Sequence, residues 1–218
     1  MRSSQDIIQL FRAHGVLIED THAVYTNGMH ATSHMNMRLM QPHTEAYSSL
    51  ALQLVAWLMG ENMIYSAVVS PAVGGVALSQ WIAHHASVLY CREILALYCE
   101  KDEEGIFRLK GGTDKLVKGR IVLAADDVLS TGGSCRQVVE EVTRCEGSVF
   151  VACALVNQGR VTAEDLGVGQ LRALVTRPAE TYPSWDECPQ WLKDRPINTE
   201  VGHGAEFLRL HPEIPQPA

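Results

Sequence analysis

The chain has 218 residues, of which 46% are hydrophobic and 20% are charged, so its length and composition suit one globular domain with a full core. Its formal net charge of −7 argues against nucleic acid as a partner, because binding a phosphate backbone requires clustered lysine and arginine. The N-terminus has no apolar signal region and no apolar run reaches membrane-spanning length, so we expect a cytoplasmic protein with no membrane partner.

Apolar periodicity predicts alternating helices and strands along the chain. Helices are predicted over residues 4–14, 42–60, 75–84 and 135–145, and strands over residues 16–18, 65–69, 88–91, 94–99, 121–125, 148–156 and 171–175. Polar residues 100–119 are expected to form a mobile loop or hairpin, and the chain after residue 177 an irregular cover over the body. This alternation predicts a mostly parallel α/β sheet that binds ligands at the carboxyl ends of its strands.

Residues 120–134 carry the clearest sign of a binding site. Two adjacent carboxylates, Asp126 and Asp127, follow the apolar strand, and a turn of small residues from Ser130 to Ser134 then leads into a helix. Backbone N–H groups at a helix N-terminus bind anions, and ionised carboxylates accept hydrogen bonds from sugar hydroxyls. The combination predicts a sugar-phosphate site. The alternative is an ordinary strand-to-helix turn with two exposed acids; a Walker-type loop is disfavoured because no Gly-Lys-Ser/Thr ends the turn.

The stretch resembles the signature of type I phosphoribosyltransferases, which bind 5-phosphoribosyl-1-pyrophosphate (PRPP). The resemblance implies that the acids hold the ribose hydroxyls and the turn holds the 5-phosphate. The residues implied to contact PRPP here are Asp126, Asp127, Val128, Leu129, Ser130, Thr131, Gly132, Gly133 and Ser134. A second glycine turn, residues 69–75, also joins a strand to a helix. In the family this turn binds pyrophosphate, which implies that the backbone of Val73 and Gly74 approaches it.

Residues 100–119 contain cations in a glycine-bounded setting, and their spacing alone favours a solvated surface hairpin. The chain is similar to orotate phosphoribosyltransferases, which carry a mobile catalytic loop at this place. Lys101 and Lys110 match basic positions of that loop, so the resemblance implies that both close over the leaving pyrophosphate as catalytic residues. Arg108 does not fall in register with the family pattern.

The similarity extends over about residues 10–190, including the segments 27–30 near the N-terminus and 180–189 near the C-terminus. The departures fall on base recognition. The family has an arginine near Gln158 that reaches the orotate carboxylate, and Arg160 could replace it from two residues away. His34 and Met35 stand where some members have aromatic residues. We expect these four residues to line the base pocket.

No metal site made only of protein ligands is expected. The six cysteines (91, 99, 135, 145, 153 and 188) contain no CxxC pair and suit buried reduced thiols. Trp191 stands where the family has a second cysteine after Cys188-Pro189, so no zinc pair is predicted there. Most histidines suit ordinary surface or core positions, and only His30 and His34 lie near the predicted base pocket.

We therefore expect a single type I phosphoribosyltransferase domain over residues 1–218, with a core of about 41–176 and a small hood built from about 1–40 and 177–218. The resemblance implies a pentosyltransferase of pyrimidine biosynthesis that converts orotate and PRPP to orotidine 5′-phosphate and pyrophosphate, with Mg²⁺ bound through PRPP, acting as a homodimer. Three alternatives remain: another pyrimidine or purine as acceptor, a non-catalytic PRPP-binding regulatory protein, and a generic nucleotide-binding α/β protein.

Overall fold

The structure is a computed structural model that describes residues 2–216. Within this range the α-helices are α1 (Ser4–Ala13), α2 (Thr44–Gly60), α3 (Val76–Leu89), α4 (Gly133–Arg144), α5 (Ala163–Leu166), α6 (Gln190–Lys193) and α7 (Gly204–Leu210). The strands are β1 (Leu17–Ile18), β2 (Ala23–Val24), β3 (His30–Ala31), β4 (His34–Met35), β5 (Ala67–Pro71), β6 (Leu95–Lys101), β7 (Phe107–Arg108), β8 (Ile121–Leu129), β9 (Ser148–Asn157), β10 (Gln170–Thr176) and β11 (Thr181–Tyr182). Met37–Leu39 and Thr113–Leu116 are short 3-10 helices.

Six strands form the central sheet in the order β10-β9-β8-β5-β6-β7. The strands from β10 to β6 run parallel, and β7 returns antiparallel beside β6 to make a hairpin. The connection from β5 to β6 through α3 and the connection from β8 to β9 through α4 lead in opposite directions from the central β5–β8 pair. Such a reversal opens a crevice at the carboxyl ends of the two strands, and this is where ligands of parallel sheets bind.

Side chains of β8 alternate between two hydrophobic cores, as expected for a strand covered on both faces. Leu123 and Ala125 pack with α1, α2 and α3, whereas Val122 and Ala124 pack with α4 and the β6–β7 hairpin. Helix α1 begins at a reciprocal capping box with Ser3 at the N-cap. The two cores hold the carboxyl ends of β5 and β8 in fixed positions.

The N-terminal and C-terminal parts of the chain meet in a small antiparallel sheet of order β11-β3-β2. A further bridge joins His22 to Ile197, and the Asn198 N–H donates to the His22 carbonyl (2.8 Å). Helix α1 packs against the central sheet and not against this small sheet, because its Ile7 and Phe11 are fully buried in the main core.

The strand predicted at residues 88–91 is wrong, because α3 continues to Leu89. Ile82 and Ala86 keep the inner face of the helix packed, so the apolar Val88 remains on the outer face, where it is 63% exposed. The chain leaves the helix at Cys91, which has a left-handed backbone (φ 51°).

The strand predicted at residues 121–125 is longer than expected and continues to Leu129. The acids therefore lie on the strand rather than after it, with Asp126 in register with Ala154 of β9 and Val128 with Val156. Three short elements, β11, α6 and α7, interrupt the cover predicted after residue 177. None of the helices between residues 2 and 216 has the length and apolar character needed to cross a membrane.

Candidate active site

The end of β8 carries Asp126 and Asp127, called the acid pair below. Asp126 is 6% exposed and Asp127 is half-buried. One oxygen of each carboxylate accepts a backbone hydrogen bond, from the Asp127 N–H (2.9 Å) and from the Val128 N–H (2.8 Å). Neither carboxylate forms an ion pair with any lysine, arginine or histidine in residues 2–216. The pair keeps free oxygen lone pairs at the crevice of the sheet.

Burial raises the pKa of the Asp126 carboxyl well above its usual value, and the charge of Asp127 raises it further. Burial also raises the pKa of Asp127, although hydrogen bonds and the charge of Arg38 oppose the rise. A buried carboxylate without a cationic partner is costly in its charged form. The pair therefore favours a ligand that supplies hydroxyl donors or positive charge.

The turn from Ser130 to Ser134, called the phosphate loop below, leads directly from β8 into α4. The N-cap of α4 is Gly132, which has a left-handed backbone (φ 78°) and contributes no side-chain cap. Thr131 and Ser134 are exposed, and the Gly133 N–H makes only a long hydrogen bond (3.4 Å) to Thr131 Oγ1. The uncapped N–H groups and hydroxyls face solvent, which is the arrangement that binds a phosphate at a helix N-terminus.

The second turn follows β5 and approaches the acid pair. Val73 is 68% exposed, and the peptide bond between Ala72 and Val73 is cis. Gln41 Nε2 donates to the Gly74 carbonyl (2.8 Å). A Cβ atom built on Gly74 would lie 2.7 Å from Asp127 Oδ2, so only glycine permits this approach. The structure thus brings together the two turns and the acid pair.

Lys101 and Lys110 lie on the two arms of the β6–β7 hairpin. Lys110 Nζ donates to the Lys101 carbonyl (2.8 Å), whereas Lys101 Nζ lies 5.4 Å from the centre of the Phe107 ring. Both lysines are exposed. The Phe107 N–H donates to Gln137 Oε1 of α4 (3.1 Å). The residues predicted as a loop or hairpin thus form a hairpin whose returning arm packs on α4.

Glu141 of α4 fastens this returning arm. Its buried carboxylate accepts hydrogen bonds from the Leu109 N–H (3.0 Å), Arg108 Nη1 (3.0 Å) and Arg144 Nε (2.7 Å). Burial acts to raise the pKa of Glu141, but the hydrogen bonds from Arg144, Leu109 and Arg108 outweigh it and hold the pKa at about 2. Arg108 therefore makes a structural contact with Glu141, which agrees with its mismatch to the basic positions of the family's mobile loop.

His34 and Met35 of β4 differ in their surroundings. His34 is half-buried, and its Nδ1 is buried without a hydrogen-bond partner in residues 2–216. Burial lowers the pKa of His34, and the neighbouring His203 lowers it further. Met35 is 7% exposed and its side chain belongs to the main hydrophobic core. Of the two, His34 is the side chain available to a ligand.

Gln158 and Arg160 follow the carboxyl end of β9, beside the phosphate loop. Gln158 is 4% exposed; its Nε2 donates to Tyr25 Oη (2.9 Å) and its backbone N–H donates to the Leu129 carbonyl (2.8 Å). Arg160 is exposed, has a left-handed backbone (φ 58°), and forms no ion pair within the described part of the chain. The Arg160 guanidinium is therefore free to bind a carboxylate, whereas the Gln158 side chain is already hydrogen-bonded to Tyr25.

Three residues before or at the start of α2 lie near the acid pair without any local pattern that marks a site. The charge of Arg38 opposes the rise that burial causes in the pKa of Asp127, and Gln41 contacts the second turn. The Tyr47 hydroxyl is buried and has no hydrogen-bond partner in residues 2–216; burial raises its pKa, and the charges of the acid pair raise it further. Only the packing of α2 against the sheet brings these side chains to the crevice.

Two of three comparisons with known proteins found proteins similar to this chain. No protein-family model matches the chain. The chain is 31% identical over 184 residues to the orotate phosphoribosyltransferase of Pelotomaculum thermopropionicum, covering 84% of this chain and 90% of that protein. The crystal structure of orotate phosphoribosyltransferase from Aeropyrum pernix superposes with a TM-score of 0.64 at 25% identity, over 78% of this chain and 93% of that one. The Mycobacterium tuberculosis enzyme crystallised with PRPP superposes with a TM-score of 0.53 at 21% identity, over 65% and 80% of the two chains.

Proposed function

The chain belongs to the orotate phosphoribosyltransferase family, and we propose that it transfers ribose-5-phosphate from PRPP to a ring nitrogen of orotate, releasing pyrophosphate. Membership confirms the resemblance and the mostly parallel α/β fold expected from the sequence, and it identifies the chain as a glycosyltransferase-type enzyme of pyrimidine biosynthesis. One observation carries the proposal. The two glycine turns meet at the acid pair, which has no ion-pair partner among residues 2–216, and the Gly74 backbone lies against Asp127.

We propose that PRPP spans this crevice. The phosphate loop binds the 5-phosphate through the N-terminal amides of α4 and the hydroxyls of Ser130, Thr131 and Ser134. The acid pair accepts hydrogen bonds from the two ribose hydroxyls. The backbone at Val73 and Gly74 binds the pyrophosphate. The two phosphate-containing ends of PRPP thus face hydrogen-bond donors, and its ribose hydroxyls face hydrogen-bond acceptors.

Mg²⁺ fits this arrangement as a cofactor, because the two neighbouring carboxylates are short of positive charge. When bound together with PRPP, Mg²⁺ would neutralise part of the pyrophosphate charge. The acid pair would hold it through PRPP and water, without a complete set of protein ligands.

The chemical step breaks the bond between the ribose C1 and the pyrophosphate oxygen while a new bond forms from C1 to the base nitrogen, which gives up its proton. The transition state carries positive charge on the ribose, so the protein acts mainly by positioning reactants and stabilising the departing anion. Lys101 and Lys110 are proposed to supply cations to the pyrophosphate. Because Glu141 anchors the returning arm, closure would involve the hairpin tip and lysine side chains rather than the whole segment.

The base is proposed to lie between β4 and the residues after β9. His34 offers an unpaired ring nitrogen, and Arg160 offers a free guanidinium for the orotate carboxylate. A different nucleobase is the second candidate acceptor, because Gln158 is hydrogen-bonded to Tyr25 and carries no charge to bind a carboxylate. Met35 would support the pocket from the core.

We also propose that the β11-β3-β2 sheet with its flanking segments forms the hood over the crevice, and that the enzyme acts as a homodimer. The hood rests on the pairing of N-terminal and C-terminal strands. The homodimer rests on the family resemblance alone.

The test is pyrophosphate release from PRPP and Mg²⁺ with orotate, uracil, adenine, hypoxanthine or no base. We expect release with orotate only, and loss of orotate selectivity in Arg160→Ala. Release with another base would assign that base as the acceptor. PRPP binding without release for any base would overturn the catalytic proposal and indicate a regulatory PRPP-binding protein.

A further inference from the structure

Three potential metal ligands meet inside the small sheet, away from the acid pair. They are His22 just before β2, His30 at the start of β3, and Cys188 in the C-terminal segment. His22 Nε2 lies 2.7 Å from His30 Nδ1 and 3.9 Å from Cys188 Sγ, and the three atoms lie within 4.8 Å of one another. The two histidines are 0% exposed and the cysteine is 4% exposed. This cluster is called the His-His-Cys cluster below.

The hydrogen bonding of the cluster leaves it poorly satisfied in the absence of another group. The two imidazoles share one hydrogen bond, which leaves His22 Nδ1 and His30 Nε2 buried without a hydrogen bond in residues 2–216. The Cys188 thiol makes only a contact to the Ser184 carbonyl (3.4 Å) and the long one to His22. Burying polar groups with so few partners is costly, and metal coordination would supply the missing bonds.

We propose that His22, His30 and Cys188 bind a divalent transition metal of the zinc type. Two imidazole nitrogens and one thiolate are ligands of borderline softness, which select zinc-like ions over Mg²⁺ or Ca²⁺. At zinc–nitrogen distances of about 2.0–2.1 Å, tetrahedral ligands lie about 3.3 Å apart. The two rings therefore need to separate by only about 0.6 Å to admit the ion. Binding releases the thiol proton to solvent, and the proton shared by the two inner ring nitrogens moves to the outer nitrogen of the same ring. No electron transfer is involved.

Aromatic side chains enclose the cluster. The Trp185 ring stacks on His22 with centroids 5.5 Å apart and planes 2° apart, and Phe207 meets His30 edge-on at 4.8 Å. Aromatic side chains packed on ligating histidines limit solvent access to a metal site and restrict the orientation of the rings.

The cluster supplies three ligands, and no fourth His, Cys, Asp or Glu of residues 2–216 joins it. Water takes the fourth position. The donors come from both ends of the chain, so the metal would fasten the β2–β3 hairpin to residues 184–189. The proposed site contains Cys188 together with His22 and His30, and it does not involve Trp191. It is independent of the proposed function, since no ligand belongs to the acid pair or either turn.

The proposal is tested on the full chain with Co²⁺, whose spectrum reports both thiolate ligation and tetrahedral geometry. We expect about one Co²⁺ per chain, a thiolate-to-cobalt charge-transfer band and intense tetrahedral d–d bands. Zn²⁺ should displace the cobalt and raise Tm by about 5 °C or more. Cys188→Ser should lose the charge-transfer band and the Zn²⁺-dependent rise in Tm. Cys91→Ser, at an exposed cysteine outside the cluster, should keep both.

Two results would overturn the proposal. One is a wild-type protein, stripped of bound metal with a chelator that is then removed, that shows no charge-transfer band on Co²⁺ titration. The other is a band that survives in Cys188→Ser but disappears in Cys91→Ser, which would indicate an adventitious surface site. The wild-type spectrum decides the question even if Cys188→Ser fails to fold, and His30→Gln provides a second variant in which the thiol remains.

Discussion

Two buried acidic sites lie on the same strand–turn–helix unit and differ in almost every electrostatic respect. The acid pair at the end of β8 has no ion-pair partner among residues 2–216, and burial raises its pKa values. Glu141, on the helix that follows, is buried as well, but Arg108 and Arg144 hold its pKa at about 2. Both sites are buried, and they differ in whether arginine side chains neutralise the carboxylates. This difference gives the pKa shifts opposite signs.

The difference indicates separate roles. A carboxylate neutralised by two arginines and a backbone N–H has used its bonding capacity within the protein, so Glu141 stabilises the hairpin on α4. A carboxylate left without such partners lowers stability and retains its bonding capacity for a ligand. The acid pair is therefore the site that can bind a ligand, whereas Glu141 stabilises the surrounding structure.

The largest expected effect is on turnover in the double variant Asp126→Asn with Asp127→Asn. Removing both charges should lower kcat by about 10³-fold or more, because the ribose hydroxyls and Mg²⁺ lose their acceptors. The fold should survive with an unchanged or higher Tm, since two uncompensated buried charges disappear. Pyrophosphate release and thermal unfolding on the same preparation check both parts. Full activity in this variant would refute the proposed mechanism.

Lys101→Ala should reduce turnover by about tenfold while changing PRPP affinity less, because its cation is proposed to act on the leaving pyrophosphate. The matched control is Lys118→Ala, an exposed lysine paired with Glu146, which should leave both quantities unchanged. Steady-state kinetics with PRPP binding measured separately distinguishes the two effects. An unchanged rate in Lys101→Ala would assign the hairpin a structural role only.

Glu141→Gln should lower the free energy of unfolding by about 2 kcal/mol, or Tm by about 4–8 °C, because the arginines lose their charged acceptor. The adjacent Glu140→Gln is the control, since Glu140 pairs with Arg136 on the surface at 60% side-chain exposure and should have almost no effect. Thermal unfolding of both variants makes the comparison. Equal stabilities would mean that the hairpin does not depend on Glu141.

The pH dependence of stability should have opposite signs at the two sites. The folded pKa of Glu141 is lowered from 4.5 to about 2, so its contribution is present above pH 4.5 and is lost as the pH falls towards 2. The folded pKa values of the acid pair are raised from 3.8, so its destabilising effect is absent below pH 3.8 and grows as the pH rises through those values.

Unfolding of the wild type, the Glu141→Gln variant and the double asparagine variant between pH 3 and pH 7 checks this. The loss of unfolding free energy in Glu141→Gln relative to wild type should shrink by about half near pH 3. The gain in unfolding free energy in the double asparagine variant should also disappear near pH 3. Gaps that stay constant with pH would show that neither site titrates as the structure indicates.

The composition of the proposed PRPP site was predictable from local sequence. Asp126, Asp127 and the phosphate loop lie within nine consecutive residues, so their proximity follows from chain connectivity and is predicted by the sequence. The strand predicted at residues 88–91 failed because an apolar Val88 on an exposed helix face has the same local pattern as a strand residue. The local pattern of apolar residues does not show which face of a helix or strand is covered by other parts of the protein.

The amino-acid sequence by itself determined the alternation of strands and helices, the two glycine turns and the acidic pair, because each depends on neighbours within a few residues. Tertiary structure alone decided that Gly74 touches Asp127, that Glu141 receives Arg108, and that His22 and His30 meet Cys188 from the other end of the chain. Such contacts join residues far apart in sequence, and their partners are set by how the helices and the small sheet pack. Charge compensation, and with it the pKa of each buried acid, is for that reason a property of the fold.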